Sequence, residues 1–273
     1  MISTWWVFSG AMLPVAEPGI LYAAKLFPGP VRQESIRGKR SVTNRNVEFN
    51  LYFIRHGESE SNIVPGIAAG KNFDAPLTER GHRQALALGE RFKKEAVSFE
   101  RIYSSSLIRA VQTTEGMLKG MGLNGAGFAR VQNIIERQIP SWRGKMLADV
   151  KTTEVVVMEA GQGKWFQPGD GESFRVVERR ASNWLEDELL NNPEWNDRPG
   201  SHRIAIVAHG HTLQCLFHYV MGFDQHLIPR IQVDNTSVSR FRFGPNGWTV
   251  NSLNDAAHTY EMGDVNRERK IYG

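Results

Sequence analysis

Disulfide bonding within the chain is excluded, because its 273 residues include a single cysteine, Cys215. That scarcity suits a reducing compartment without proving one. A metalloprotease-type zinc site is not indicated either: no His-Glu-x-x-His run and no carboxylate-rich cluster accompanies the histidines. Long uninterrupted apolar runs are also missing. The longest apolar stretch, Trp5 to Ala24, is broken by Pro14, Glu17 and Pro18, which makes it a poor membrane span. It lacks the basic start of a secretory signal, although the Arg and Ser residues that follow fit an organelle transit peptide. There is no internal repeat and no low-complexity tract. What the chain does have is 41% hydrophobic and 10% aromatic residues, enough for a substantial core, which excludes a disordered or collagenous protein. The length fits one large domain or two small ones.

Neither sign of charge dominates, with 33 Lys plus Arg against 29 Asp plus Glu. The net +4 is also unevenly placed. Residues 1–49 hold six basic groups (Lys25, Arg32, Arg37, Lys39, Arg40, Arg45) and three acidic ones (Glu17, Glu34, Glu48). The remaining chain is therefore close to neutral and a poor general binder of nucleic-acid backbones. Residues 1–49 also carry four prolines and no sustained periodicity, so they read as an extension, either an arm or a targeting segment. The expected domain is 50–262, followed by a C-terminal tail, 263–273. Location reads as cytoplasmic, with organelle targeting by residues 1–49 as the alternative.

From Asn50 onward, short apolar runs alternate with amphipathic helices. Leu51–Ile54, Arg101–Tyr103 and Ile204–Ala208 read as strands; residues 79–95, 107–120, 174–190 and the segment after His209 to Met221 read as helices. Phe241 and Phe243 alternate before the turn residues Gly244-Pro245-Asn246-Gly247, and Trp248-Thr249-Val250 returns as a hairpin. The pattern predicts an α/β fold: a three-layer α/β/α sandwich on a mainly parallel sheet with an antiparallel edge strand.

Parallel sheets bind ligands at the carboxyl ends of their strands. Three polar clusters fall there: Arg55-His56-Gly57-Glu58, Ser104-Ser105-Ser106 with Arg109 one turn later, and His209-Gly210-His211. Arginine forks match phosphate oxygens, and a neutral imidazole can attack phosphorus.

These clusters resemble, in order, the signatures of the histidine phosphatase superfamily, the phosphoglycerate mutase-like family. Arg55-His56-Gly57-Glu58-Ser59-Glu60-Ser61-Asn62 resembles its RHGE[ST]xxN motif. Leu77-Thr78-Glu79-Arg80-Gly81-His82-Arg83-Gln84-Ala85 resembles LTxxGxxQA, Ser104–Thr113 resembles SSxxxRAxQT, and Val207-Ala208-His209-Gly210 resembles the second-histidine motif. The resemblance implies the phosphoglycerate mutase-like fold and a metal-independent reaction without a cofactor. It implies His56 as the nucleophile that becomes phosphohistidine, with His209 catalytic beside it and Arg55, Arg109, Asn62 and Gly210 holding the phosphoryl group. The implied general acid is Glu136, in Ile134-Ile135-Glu136-Arg137-Gln138-Ile139-Pro140-Ser141-Trp142-Arg143-Gly144, similar to LxExxxGxWEG. Here Pro140 stands near the expected glycine and Arg143 replaces an acidic residue. Glu58 and Glu172 are the fallback acids.

The mutases of the family carry ERHYGxLxGLNK after the acid. This chain shares the Glu-Arg start but not the Tyr-Gly or the Leu-Asn-Lys, which favours water as acceptor and the phosphatase branch. A 2,3-bisphosphoglycerate-dependent mutase and a catalytically silent phosphate-binding scaffold are the alternatives. Substrate choice is expected in residues 137–170, from an apolar wall of Trp142, Trp165 and Phe166 and the cations Arg137, Arg143, Lys145, Lys151 and Lys164. The expected partner is a small phosphorylated metabolite, with a phosphoprotein substrate and a homodimer both left open, and no nucleic acid or membrane span. His82, His202, His218, His226 and His258 read as satisfied surface or core residues, His211 as a helix-start partner of the site, and Cys215 as a buried structural thiol. Gly171-Glu172-Ser173 reads as the opening cap of the 174–190 helix, with substrate contact open to Glu172.

Overall fold

Val47, Phe49, Leu51 and Phe53 are buried and alternate with the half-exposed Glu48, Asn50 and Tyr52, so the first strand feeds two different cores. In the computed structural model this strand, β1 (Val47–Arg55), lies at the middle of a six-stranded sheet. The structure describes residues 46–63, 66–68, 73–195 and 197–262. Most of the expected extension and all of the expected tail lie outside the described residues. β1 starts at Val47, three residues before the expected domain boundary, because the alternation begins there.

The strands that follow are β2 (Arg101–Ser105), β3 (Ala129–Val131), β4 (Gly200–Ala208), β5 (Val238–Gly244) and β6 (Gly247–Asp255), in the spatial order β3-β2-β4-β1-β5-β6. β1, β2, β3 and β4 run parallel; β5 is antiparallel to β1, and β6 returns beside it as the hairpin. β3 escapes a reading of the sequence because only Val131 of its three residues is buried.

Helices cover both faces. On one face, α1 (Glu79–Lys94) and α2 (Ile108–Met121) bring Leu88, Phe92, Ala110 and Met117 against Ile54, Ala205 and Val207. Thr78 caps α1 by accepting from the Gly81 N–H at 3.1 Å, and Arg91, Lys93 and Lys94 in its last turn complement the dipole. α1 and α2 meet almost backbone to backbone: a Cβ on Gly89 would stand 2.0 Å from the Met117 carbonyl oxygen. Any side chain there would push the helices apart.

Two short helices follow, α3 (Leu147–Val150) and α4 (Thr153–Gln162), in the segment 137–170. On the second face, α5 (Phe174–Leu185) and α6 (Gly210–Met221) pack Ala181, Leu185, Leu213, Leu216 and Phe217 onto Phe49, Leu51, Phe53, Ile204 and Ile206. The helix expected over 174–190 is α-helical only to Leu185, and a wider π turn, Glu186–Leu190, completes it. That turn keeps Leu189 buried and lets the Tyr219 hydroxyl reach Glu186 at 2.5 Å. Phe53, wholly buried between Phe217 and Phe241, shows what such positions are worth. Truncating a buried phenylalanine to alanine costs about 3–5 kcal/mol.

The sheet order places β2, β4 and β1 side by side and parallel. Their carboxyl ends therefore deliver Ser105, Ala208-His209 and Arg55-His56 to one rim. Among the described residues, no helix is long and apolar enough to cross a membrane.

Candidate active site

At the end of β1 the chain turns, and side chains from the other motif segments hold the turn. The Gly57 N–H donates to Thr113 Oγ1 at 2.9 Å and the Glu58 N–H to Gln84 Oε1 at 2.9 Å. Gly57 and Gly81 are glycines because the loop passes over the start of α1: a Cβ on Gly81 would lie 2.0 Å from the Glu58 carbonyl oxygen. The Leu77 N–H donates to Gln112 Oε1 at 2.8 Å, fastening the segment before α1 to α2. The segments that resemble family motifs in sequence are thus one hydrogen-bonded unit in space.

That unit fixes the imidazole of His56. Its Nδ1 bonds the Gly57 carbonyl oxygen at 2.6 Å, while Arg109 Nε donates to its Nε2 at 3.2 Å. A carbonyl can only accept and a guanidinium can only donate, so the proton sits on Nδ1 and Nε2 presents its lone pair. Burial, then Arg109 and Arg55, hold the His56 pKa well below the usual value, so the ring is neutral at pH 7. A buried, neutral imidazole whose Nε2 lone pair faces an arginine that can move onto a phosphoryl oxygen is a nucleophile suited to a phosphoryl centre.

Arg109, itself buried, is anchored by donating from Nη1 to the Phe73 carbonyl oxygen at 2.7 Å. Arg55 Nη1 donates to the Val233 carbonyl oxygen at 2.6 Å. The His209 ring lies 5.0 Å from that of His56, with Nε2 bonded to Ser105 Oγ at 2.8 Å and no protein partner for the buried Nδ1. Burial, then Arg109 and the neighbouring His56, depress its pKa as well. Gly210 opens α6, and a Cβ added there would stand 3.7 Å from Arg55 Nε.

Glu136 completes the group. Its carboxylate accepts from the Arg137 N–H at 2.8 Å and from the His211 N–H at 3.4 Å. Burial pushes its pKa up, but His211, the Arg137 N–H, Arg109 and Arg55 together outweigh this and hold it below the ordinary value. Both fallback acids are held by other side chains. Glu58 is tied to Thr78 Oγ1 at 2.7 Å and to Arg80 at 3.2 Å; Glu172 is gripped by Arg180 at 2.8 and 3.0 Å and by the Gln138 N–H at 3.0 Å. Ser173 caps α5 by accepting from the Val176 N–H, as the Gly171-Glu172-Ser173 reading expects. Asn62 is exposed, and its Oδ1 closes the 59–62 turn by accepting from the Ser59 N–H and hydroxyl, each at 3.0 Å.

Other histidines have structural partners: His202 bonds Glu100 and the Arg198 carbonyl, His218 bonds Glu178, and His258 bonds Thr236. His82 and His226 are exposed. The Cys215 thiol is fully buried, bonds the Phe174 carbonyl at 3.5 Å, and has its pKa pushed up by that burial.

The sequence reading missed a brace behind the nucleophile. In the loop that leads into β5, the Thr236 N–H donates to the carbonyls of Arg55 and His56 at 3.1 and 3.3 Å, and Asn235 Nδ2 donates to the His56 carbonyl at 3.0 Å. Thr236 holds φ at +56°, strained for a β-branched residue, and is wholly buried. Arg180 is the other omission; besides Glu172, its Nη2 donates to the Glu136 carbonyl at 3.2 Å. Neither residue sits in a motif at a strand end, so nothing local marked it.

The cations expected around the rim separate into distinct states. Arg137 is buried, with its guanidinium 4.1 Å from the Phe174 ring; Lys151 pairs with Glu159, Lys164 with Glu178, and Lys145 stands near Asp170. Arg143 and Lys145 are both exposed and neither forms an ion pair among the described residues; Arg143 lies 5.3 Å from the ring of Phe73. The apolar wall is discontinuous: Phe166 is buried, Trp142 half-buried and Trp165 exposed.

Comparison with known proteins agrees with this arrangement. A protein of Cronobacter sakazakii named probable phosphoglycerate mutase GpmB is 27% identical over 225 residues, 76% of this chain and 94% of that one. Among solved structures, the phosphoglycerate mutase of Bacillus anthracis superposes with a TM-score of 0.64 at 20% identity, covering 81% of this chain and 99% of that one. The phosphoserine phosphatase of Entamoeba histolytica, solved with phosphoserine, gives 0.62 at 22% identity, covering 77% and 98%. These two neighbours show the fold to be phosphoglycerate mutase-like. The family model for the histidine phosphatase superfamily (branch 1) matches residues 51–256, the span that holds both histidines, both arginines and Glu136, and the chain belongs to that superfamily.

Proposed function

We propose that the protein is a metal-independent phosphomonoesterase that hydrolyses a small phosphorylated metabolite through a phosphohistidine on His56. The observation that carries this reading is the state of His56: neutral, protonated on Nδ1, with Nε2 facing Arg109 at 3.2 Å. In the first step Nε2 forms a bond to phosphorus as the ester oxygen leaves and takes a proton from Glu136. In the second, water attacks phosphorus, the N–P bond breaks, and Glu136 takes the water's proton, which restores the acid and releases hydrogen phosphate. Arg55, Arg109, His209 and the start of α6 at Gly210 stabilise the phosphoryl oxygens, and Asn62 adds a contact through its amide nitrogen. The substrate's charge, entering beside Arg55 and Arg109, offsets the cations that hold the Glu136 carboxyl down. Substrate binding therefore raises the proton affinity of the group that must act as acid.

A small anionic substrate is favoured by Arg143 and Lys145, which stand exposed on the rim. Hydrolysis is favoured over mutase chemistry by Ile139-Pro140, which stand where the mutases carry Tyr-Gly and lead into the turn Pro140–Trp142. The test is hydrolysis of p-nitrophenyl phosphate with EDTA present, wild type against His56→Ala, with acid-labile phosphate trapped on the protein. Loss of activity and of label in the variant is expected. Equal rates, or no activity on a broad phosphoester panel, would point to a silent scaffold, and turnover that requires 2,3-bisphosphoglycerate would point to a mutase.

A further inference from the structure

We propose that His211 is the positioning residue for the general acid: it holds the Glu136 carboxylate and sets its proton affinity. The inference rests on the reading of Glu136 as the acid and extends it to a residue outside the four resemblance motifs. Three observations support it. His211 meets Glu136 at two points: its backbone N–H donates to Oε2 at 3.4 Å, and its ring Nδ1 stands 3.7 Å from Oε1. The first turn of α6 is fastened to the segment that carries the acid, since Thr212 Oγ1 donates to the Ile135 carbonyl at 2.7 Å. The His211 ring is itself seated, 5.5 Å from the ring of buried Phe174, on whose ring Arg137 stacks.

The neighbouring charges define what His211 can do. Glu136 is faced by His211, Arg109 and Arg55, together with the Arg137 N–H; His211 is faced by Glu136 and by the cations Arg137, Arg55 and Lys151. Arg109 and Arg55 will be drawn toward the substrate's phosphoryl oxygens. His211 stands outside that clamp with about half of its side chain open to solvent, so it remains with the carboxyl in both steps. A ring N–H on Nδ1, turned toward Oε1, favours the carboxylate over the carboxylic acid. It yields that role when substrate charge returns the proton to Glu136.

The test separates leaving-group assistance from general damage. p-Nitrophenyl phosphate and phenyl phosphate have similar shapes, but the phenolate of the second is far more basic and depends more on the acid. For His211→Leu, kcat/KM at the plateau should fall about tenfold with phenyl phosphate but only about threefold with p-nitrophenyl phosphate. Because removing the ring raises the Glu136 pKa, the alkaline limb of the kcat/KM profile should move to higher pH. His211→Asn, which restores a side-chain N–H, should recover part of both effects and serves if the leucine variant does not fold. Equal losses on both substrates with the alkaline limb unmoved would overturn the proposal and leave His211 a packing residue. Glu136→Gln is the control for the underlying reading. If it shows no leaving-group dependence, Glu136 is not the acid and the inference about His211 falls with it.

Discussion

The floor of the site and its rim are built on opposite plans. On the floor, His56, Arg109 and His209 are buried; His56 and Arg109 are each held by two side-chain hydrogen bonds and His209 by one, to Ser105 Oγ. On the rim, no residue of α4 is buried, and Val157 and Trp165 are 64% and 61% exposed. A buried polar group must be fully partnered or it destabilises the fold, so the floor tolerates little variation. An exposed segment is under no such constraint and can change with the ligand. Chemistry should therefore belong to the floor and substrate choice to the rim, and substitutions in the two regions should fail in different kinetic constants.

The largest effect is expected on the floor. Arg109→Lys keeps the charge but loses the fork that spans His56 Nε2 and the Phe73 carbonyl, and should lower kcat by about 10²–10³ with KM little changed. Steady-state rates on p-nitrophenyl phosphate decide this; a loss confined to KM would place Arg109 in ground-state binding only. A smaller effect lies in stability. His56 and His209 are buried with depressed pKa values, so as pH falls below the usual histidine value near 6.5 the unfolded chain takes up protons that the folded chain refuses. Stability should decline from about pH 7 to pH 5, and His209→Gln should flatten that slope whatever it does to the melting temperature at pH 7. An unchanged slope in thermal unfolding would show that His209 is not part of the titration.

The same contrast explains what the sequence disclosed. The strands are legible because Leu51–Ile54 and Ile204–Ala208 are buried on both faces, and the floor because each of its side chains follows such a strand or opens the next helix. Thr78, Gln84, Gln112 and Thr113 lie in motif segments, but their partners emerge only when the helices pack. Thr236, Asn235 and Arg180 leave no local trace. They act on the site through backbone carbonyls contributed by strands and turns far away in the chain, and no periodicity encodes that. The rim was legible as composition only: five cations could be counted, but not which of them the fold neutralises.

Arg143 gives the finest test of the comparison. Three of the five rim cations are paired or buried, Arg137, Lys151 and Lys164, whereas Arg143 stands exposed on the Phe73 ring, and the carbonyl of Phe73 anchors Arg109. A substrate whose phosphoryl group rests against Arg109 would bring a second anionic group within range of Arg143 if that group lies a few bonds away. Arg143→Gln should then raise KM by about three- to tenfold for phosphomonoesters that carry a carboxylate, consistent with losing one exposed charge-assisted contact, while kcat changes little. Matched pairs make the measurement clean: 3-phosphoglycerate against glycerol 3-phosphate, and phosphoserine against phosphoethanolamine. Preference for the carboxylated member in the wild type, lost in the variant, would assign specificity to the rim. A parallel fall in kcat for both members would mean that Arg143 works through Phe73 on Arg109, and that rim and floor are not separable.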